Sequence, residues 1–223
     1  MGSELQTIQT LLKDQLNLDE LTVSSDPSIT LLTTYINRAI RKIAALDKPS
    51  ELLSSSMTTV NIVANQNYVT FPSTLLVAES VFYKSSDGKW KELQFKSYKD
   101  MVQMENANSF YDTNNTGDPQ CYTVRGGTIV LNKHFDRSEA GCIGVIGIIA
   151  PTVLAGVSDA CQLPMDWDML IVCEAAVMFY VRDDDSVNQS KFNQMAMVER
   201  ANLRLTLDNA QGNTVPLDPR YFR

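Results

Sequence analysis

With 223 residues, 44% of them hydrophobic and 20% charged, the chain is long enough to bury a core and is ordinary in composition for a globular protein. Its 19 Lys and Arg against 26 Asp and Glu leave a net charge of −7, a poor basis for a nucleic-acid grip built on neutralising phosphates. A single histidine, His134, excludes multi-histidine metal sites and leaves a histidine-based triad only this one base.

Residues 4–16 predict a short helix, with Leu5, Ile8, Leu11, Leu12 and Leu16 at helical spacing. Asp26-Pro27 then reads as the N-cap and first position of a second helix, whose stripe is Ile29, Leu32, Ile36, Ile40 and Ile43 and which Lys48-Pro49 closes. The period changes to two at 57–63 and again at 68–71. The polar link Ala64-Asn65-Gln66-Asn67 makes these two segments a predicted hairpin. Leu75 to Tyr83 and Lys89 to Phe95 are further strands around the turn Ser85-Ser86-Asp87-Gly88. Ser97 to Met104 predicts a short helix capped by Ser97, and 106–119 a polar loop broken by Asn114, Asn115, Gly117 and Pro119. Residues 120–125 and 128–132 form a hairpin turned by Gly126-Gly127, and 142–149 is the last strand.

From Pro164 the pattern is helical again. Met165 to Val181 is apolar nearly all round and predicts a central, buried helix; its most apolar run, Met169 to Val181, is broken by Glu174 and is too short for the ~20 residues of a membrane span. Asp183-Asp184-Asp185 is a solvated joint that also charges the start of the next helix. That helix runs from Val187 to about Asn209, with Phe192, Met195, Val198, Ala201 and Leu205 on one side and Gly212 in the C-terminal glycine position. The remaining stretch, with Pro216 and Pro219, has no helical period and reads as an extended tail. The fold class expected is α+β: a helical bundle from 1–56 and 160–209, an antiparallel β-rich insertion at 57–159, and an extended C-terminal docking tail at 210–223.

Chemistry-bearing motifs are sparse. Gly141, Gly144 and Gly147 recur every three residues inside a strand, without the helix that a dinucleotide fingerprint needs, so they read as sites where another backbone comes close. Cys121, Cys142, Cys161 and Cys173 show no CxxC spacing and read as reduced, buried, apolar residues. His134, in a loop after a strand, reads as structural. No nucleophile elbow, Walker loop or HExxH motif occurs. With no secretory signal at the N-terminus, the expected protein is intracellular and soluble, has no cofactor and no metal, is not an enzyme, and works by binding. The feature left over is the tail: Val215, Leu217, Tyr221 and Phe222, beside Pro219, Arg220 and Arg223, combine apolar, aromatic and arginine side chains of the kind favoured at interfaces.

The order of these pieces resembles the head–tail connector (adaptor) proteins of tailed bacteriophages, over residues 27–207. The likeness is carried by the long helix with Tyr35-Ile36-Asn37-Arg38-Ala39-Ile40-Arg41-Lys42-Ile43-Ala44 and by Asn67-Tyr68-Val69-Thr70-Phe71-Pro72-Ser73-Thr74-Leu75. It continues in Thr116-Gly117-Asp118-Pro119-Gln120-Cys121-Tyr122 leading to the Gly-Gly hairpin, then Pro151, Leu163-Pro164 and a buried helix ending in Tyr180-Val181. The chain departs from the family in having Lys133-His134-Phe135 where prolines are common, and isoleucines where the last strand often has a tyrosine.

The resemblance implies a structural virion protein at the head–tail interface, made in the host cytoplasm. It implies a homo-oligomeric ring of about twelve copies below a portal protein, with DNA passing through its channel without sequence-specific binding. It also gives the tail a partner: Val215, Leu217, Pro219, Arg220, Tyr221, Phe222 and Arg223 would dock on the portal. Asn108, Phe110, Tyr111, Asn114 and Asn115 are the expected contact loop toward a distal tail or nozzle protein. Two alternatives stand beside this reading: a neck or tail-completion protein one layer further from the head, and a β-rich ligand-binding module or enzyme using the loop at 106–118.

Overall fold

The apolar stripe near the N-terminus folds as its spacing predicts: α1 spans Leu5–Leu16 and buries Leu5, Ile8, Leu12 and Leu16. The structure, a computed structural model, describes residues 2–18 and 27–210. The fold is α+β, with six helices and two four-stranded sheets among the described residues. It divides into two compact units: the described residues of Met1–Asp47 and Pro151–Arg223 form one, and Lys48–Ala150 the other.

In the helical unit, α2 (Ile29–Asp47) buries Leu32, Ile36, Ile40 and Ile43, the stripe read from sequence. Its start differs. The Ser28 hydroxyl accepts from the Leu31 amide at 3.2 Å, so Ser28 is the cap, and Pro27 lies ahead of the helix rather than at its first position. Asp26 lies outside the described residues. Lys48, at φ 49°, ends the helix in the left-handed conformation. A short turn of 3₁₀ helix at Met165–Trp167 leads into α5 (Asp168–Arg182), which packs against α1, α2 and α6 (Ser186–Ala210) and is buried on most sides. The joint before α6 works as expected: Asp185 accepts from the Asn188 backbone amide at 3.0 Å and from its side chain at 2.6 Å. The passage after Pro151 is pinned to α2 by a reciprocal pair, Asn37 donating to the Leu154 carbonyl at 2.9 Å and accepting from its amide at 2.8 Å.

On α6 the packed face is not the one expected. Phe192 and Ala196 are buried, but Val198, Ala201 and Leu205 face out. Arg200 takes the inner position instead, because two carboxylates wait for it there. Glu174 on α5 is 1% exposed and pairs with both Arg200 and Lys42 (2.5 Å), while Asp47 also accepts from Arg200 at 2.9 Å. A buried charge is tolerated only when paired in this way.

In the strand unit, β1 (Thr58–Ile62), β8 (Glu139–Ile149), β3 (Leu75–Lys84) and β4 (Trp90–Glu92) form one antiparallel sheet in that order. The second sheet runs β2 (Tyr68–Thr70), β7 (Thr128–Leu131), β6 (Cys121–Arg125) and β5 (Gln94–Phe95), with β5 parallel to β6. The hairpin expected between 57–63 and 68–71 is therefore overturned, since β1 and β2 belong to different sheets. The link between them is held instead by the chain after β7: the Asn65 amide donates to the Phe135 carbonyl at 2.9 Å, and Phe135 returns the bond to Gln66 at 2.9 Å. The single strand expected at 89–95 is likewise two short ones. The Leu93 amide bonds to Val81 of the first sheet and the Gln94 amide to Gln120 beside the second, so the chain changes sheet at the buried Leu93. Val69, Val81, Tyr83, Ile129, Leu131 and Ile143 are among the residues of this unit's core.

Candidate functional site

The surface of interest lies in the strand unit, where the Gly126-Gly127 turn meets the passage after β5. Both glycines have positive φ, 57° and 76°, the conformation of a two-residue hairpin turn that matches strand twist, so Arg125 and Thr128 face each other across it. α3 (Tyr98–Glu105) starts at Ser97, whose hydroxyl accepts from the Asp100 amide at 3.2 Å, as the sequence predicts. The expected polar loop at 106–119 opens with a further short helix, α4 (Ala107–Tyr111), entered through Asn106 at φ 64°.

Phe110 explains this extra turn. It is 2% exposed and packs with Met101 and Cys121, with Tyr98, Val102 and Val130 against them. The placement of Phe110 on the contact loop is thus corrected: it is the anchor beneath the loop. Tyr111, 63% exposed, and Asn114 stand outward, Asn115 is half-buried, and Asn108 lies in α4. The tail residues Val215, Leu217, Pro219, Arg220, Tyr221, Phe222 and Arg223 lie outside the described residues.

A polar network holds the other side of the loop. Glu105 accepts from Asn132 at 2.7 Å and from Lys133 at 2.8 Å; Lys133 also donates to Asn115 at 2.7 Å, and Asn115 donates to the Ser109 carbonyl at 3.0 Å. Asn132, 1% exposed, accepts the backbone amides of Gln120 and Cys121 at 2.9 and 3.1 Å. Burial alone would push the Glu105 carboxyl up, but the bonds from Lys133, Asn132 and Asn115 together outweigh it and hold it below the ordinary carboxylate value. The resulting stability is present above the unfolded-state pKa and is lost as pH falls through the lower folded-state one. Replacing Asn132 by alanine leaves the buried Cys121 amide and the part-buried Gln120 amide without their acceptor, so urea unfolding of the variant should show a loss of about 2 kcal/mol.

Beside Phe110 lies an open depression of about 390 Å³, with Tyr68, Tyr98, Tyr111, Arg125 and His134 among its other lining residues. The Tyr98 and Tyr111 hydroxyls share a hydrogen bond at 3.0 Å, which raises the pKa of Tyr98. The Arg125 guanidinium sits 4.7 Å above the centre of the Tyr98 ring. His134 is buried, which lowers its pKa, and its Nδ1 has no hydrogen-bond partner within the protein. The four cysteines are free and buried, as read from sequence, and burial raises the thiol pKa of each. Among the described residues, no group of three or more His, Cys, Asp or Glu side chains is placed to hold a metal ion, and no helix is long and apolar enough to cross a membrane. Sequence reasoning found the Gly-Gly turn and Tyr111 but missed Tyr98, Arg125, Glu105 and Asn132; the one local signal was the position of Arg125 beside the glycines.

The loop is thus held by the Lys133–Glu105 ion pair, and aromatic side chains with Arg125 line the depression beside it. The family model of the SU10 adaptor protein matches residues 3–220, and the chain belongs to that family: it is a phage head–tail adaptor protein, of a structural rather than enzymatic kind. No curated protein matches the chain.

Proposed function

We propose that the protein forms a ring of about twelve copies between the portal and the tail, with DNA passing through the centre. The observation that carries this reading is the family membership, which spans residues 3–220 and so takes in most of the tail as well as both units. Val215, Leu217, Pro219, Arg220, Tyr221, Phe222 and Arg223 are the portal-docking residues, since their mix of aromatic, apolar and arginine side chains suits a buried interface. The loop bearing Tyr111 and Asn114 faces the distal tail or nozzle protein. A charge of −7 per copy favours a lumen that repels the phosphate backbone, so that DNA slides rather than sticks.

The test is deletion of Val215–Arg223. Full-length protein mixed with purified portal rings should form a second ring visible by electron microscopy. The truncated chain should fail to bind while keeping its helical circular dichroism and melting temperature. Portal binding that survives the deletion overturns the tail assignment.

A further inference from the structure

The depression in the strand unit is lined largely by aromatic side chains. Three tyrosines and a phenylalanine line it, two of the tyrosines being well exposed, Tyr111 at 63% and Tyr68 at 46%. Its lining carries one formal positive charge, Arg125, and no carboxylate. His134, only 6% exposed, has a buried Nδ1 without a partner in the protein. Grooves of tyrosines with scattered hydrogen-bonding groups are the known receivers of proline-containing extended segments, whose rings lie on the aromatic faces.

The chain itself carries such a segment after α6. In Gln211-Gly212-Asn213-Thr214-Val215-Pro216-Leu217-Asp218-Pro219-Arg220-Tyr221-Phe222-Arg223 the two prolines are three residues apart. In a polyproline helix, with three residues per turn, both prolines lie on one face. Asp218 lies between them and complements the cation of the cleft. Thirteen residues in such a helix would span about 40 Å.

We infer that the cleft lined by Tyr68, Tyr98, Tyr111 and His134 binds residues 211–223 of a second copy of this chain, with Pro216 and Pro219 on the tyrosines and Asp218 at Arg125. The inference rests on the ring reading only for the presence of a neighbour. It gives the tail and the Tyr111 cleft a role in joining free copies before the portal and the distal protein are met, and its test contains neither, so the two readings fail separately.

The experiment is fluorescence anisotropy of a labelled peptide of residues 211–223. The receiver is the full-length chain carrying Pro216→Ala and Pro219→Ala, which keeps its own tail from competing. Saturable binding is expected. Adding Tyr111→Ala or Arg125→Glu to the receiver should weaken it by about tenfold each, the loss typical of one central interface contact. Both side chains are at the surface, and unchanged melting temperatures establish that the variants fold. A peptide with Asp218→Lys should bind the Arg125 receiver poorly and recover on the Arg125→Glu receiver. The inference is overturned by an absence of saturable binding, by equal binding to all receivers, or by failure of the charge exchange to restore affinity.

Discussion

Replacing Glu174 by alanine should cost the helical unit about 3 kcal/mol, near the lower end of what removing one partner of a buried ion pair usually costs. The carboxylate is 1% exposed on the most buried helix and is shared by Lys42 of α2 and Arg200 of α6. Its removal takes one acceptor from two cations at once. Lys42 suffers less, because its side chain is 41% exposed and can turn to water. Arg200 is the more buried of the two and retains Asp47 at 2.9 Å, which keeps the loss from reaching the top of the range. The expected order of damage is therefore Glu174→Ala first, Arg200→Met second and Lys42→Met last. The two tryptophans permit a clean reading: Trp167 is buried beside α5, and Trp90 is in the strand unit. In a Trp90→Phe background, Trp167 fluorescence should report a fall in melting temperature of about 10 °C for Glu174→Ala. A loss below about 1 kcal/mol, the size expected of an exposed pair, would sink the claim that this network organises the three helices.

The same cluster shows where sequence periodicity stops being informative. Met165 to Val181 announced a buried helix because nearly every position is apolar, and it is one. On α6, hydrophobic spacing pointed to Val198, Ala201 and Leu205, yet the inward position belongs to Arg200. No local pattern encodes that choice, because the carboxylates that select it come from α2 and α5. The sheets repeat the lesson. The alternation at 57–63 and 68–71 was legible, but the partner of β1 is β8, far along the chain, so short polar spacing between β1 and β2 suggested a hairpin that does not form. At the candidate site the Gly126-Gly127 turn could be read locally, because its backbone demands positive φ. The anchor Glu105–Asn132 could not, since it joins a helix end to the chain after β7. Phe110 was misread for a related reason: polar neighbours made its segment look like open loop, while its ring fills the core under α3.

The glycines of β8 were legible as a pattern, and their separate roles give the second large effect. Gly147→Ala should destabilise the strand unit by about 3 kcal/mol or more, at or beyond the usual upper cost of overpacking. A Cβ there would stand 2.0 Å from the Val77 carbonyl oxygen and 3.1 Å from the Ala78 Cα, both backbone atoms of β3. Backbone in a hydrogen-bonded ladder cannot swing aside, and the register already shifts on both sides of Ala78, where the two strands come close. β8 lies between β1 and β3, so any displacement it makes to relieve the clash disturbs both ladders. Gly144 provides the control. A Cβ at that position would meet the thioether end of Met57 at 2.1 Å, an unbranched and adaptable side chain that can take another rotamer. Gly144→Ala should therefore cost about 1 kcal/mol, the low end of overpacking penalties. Urea unfolding followed by Trp90 on β4 of the same sheet, in a Trp167→Phe background, measures both variants with one probe. Equal midpoints for the two would mean that close backbone approach at Gly147 is not what requires glycine. A large gap, with Gly147→Ala far the weaker, follows directly from rigid backbone at one site and a flexible side chain at the other.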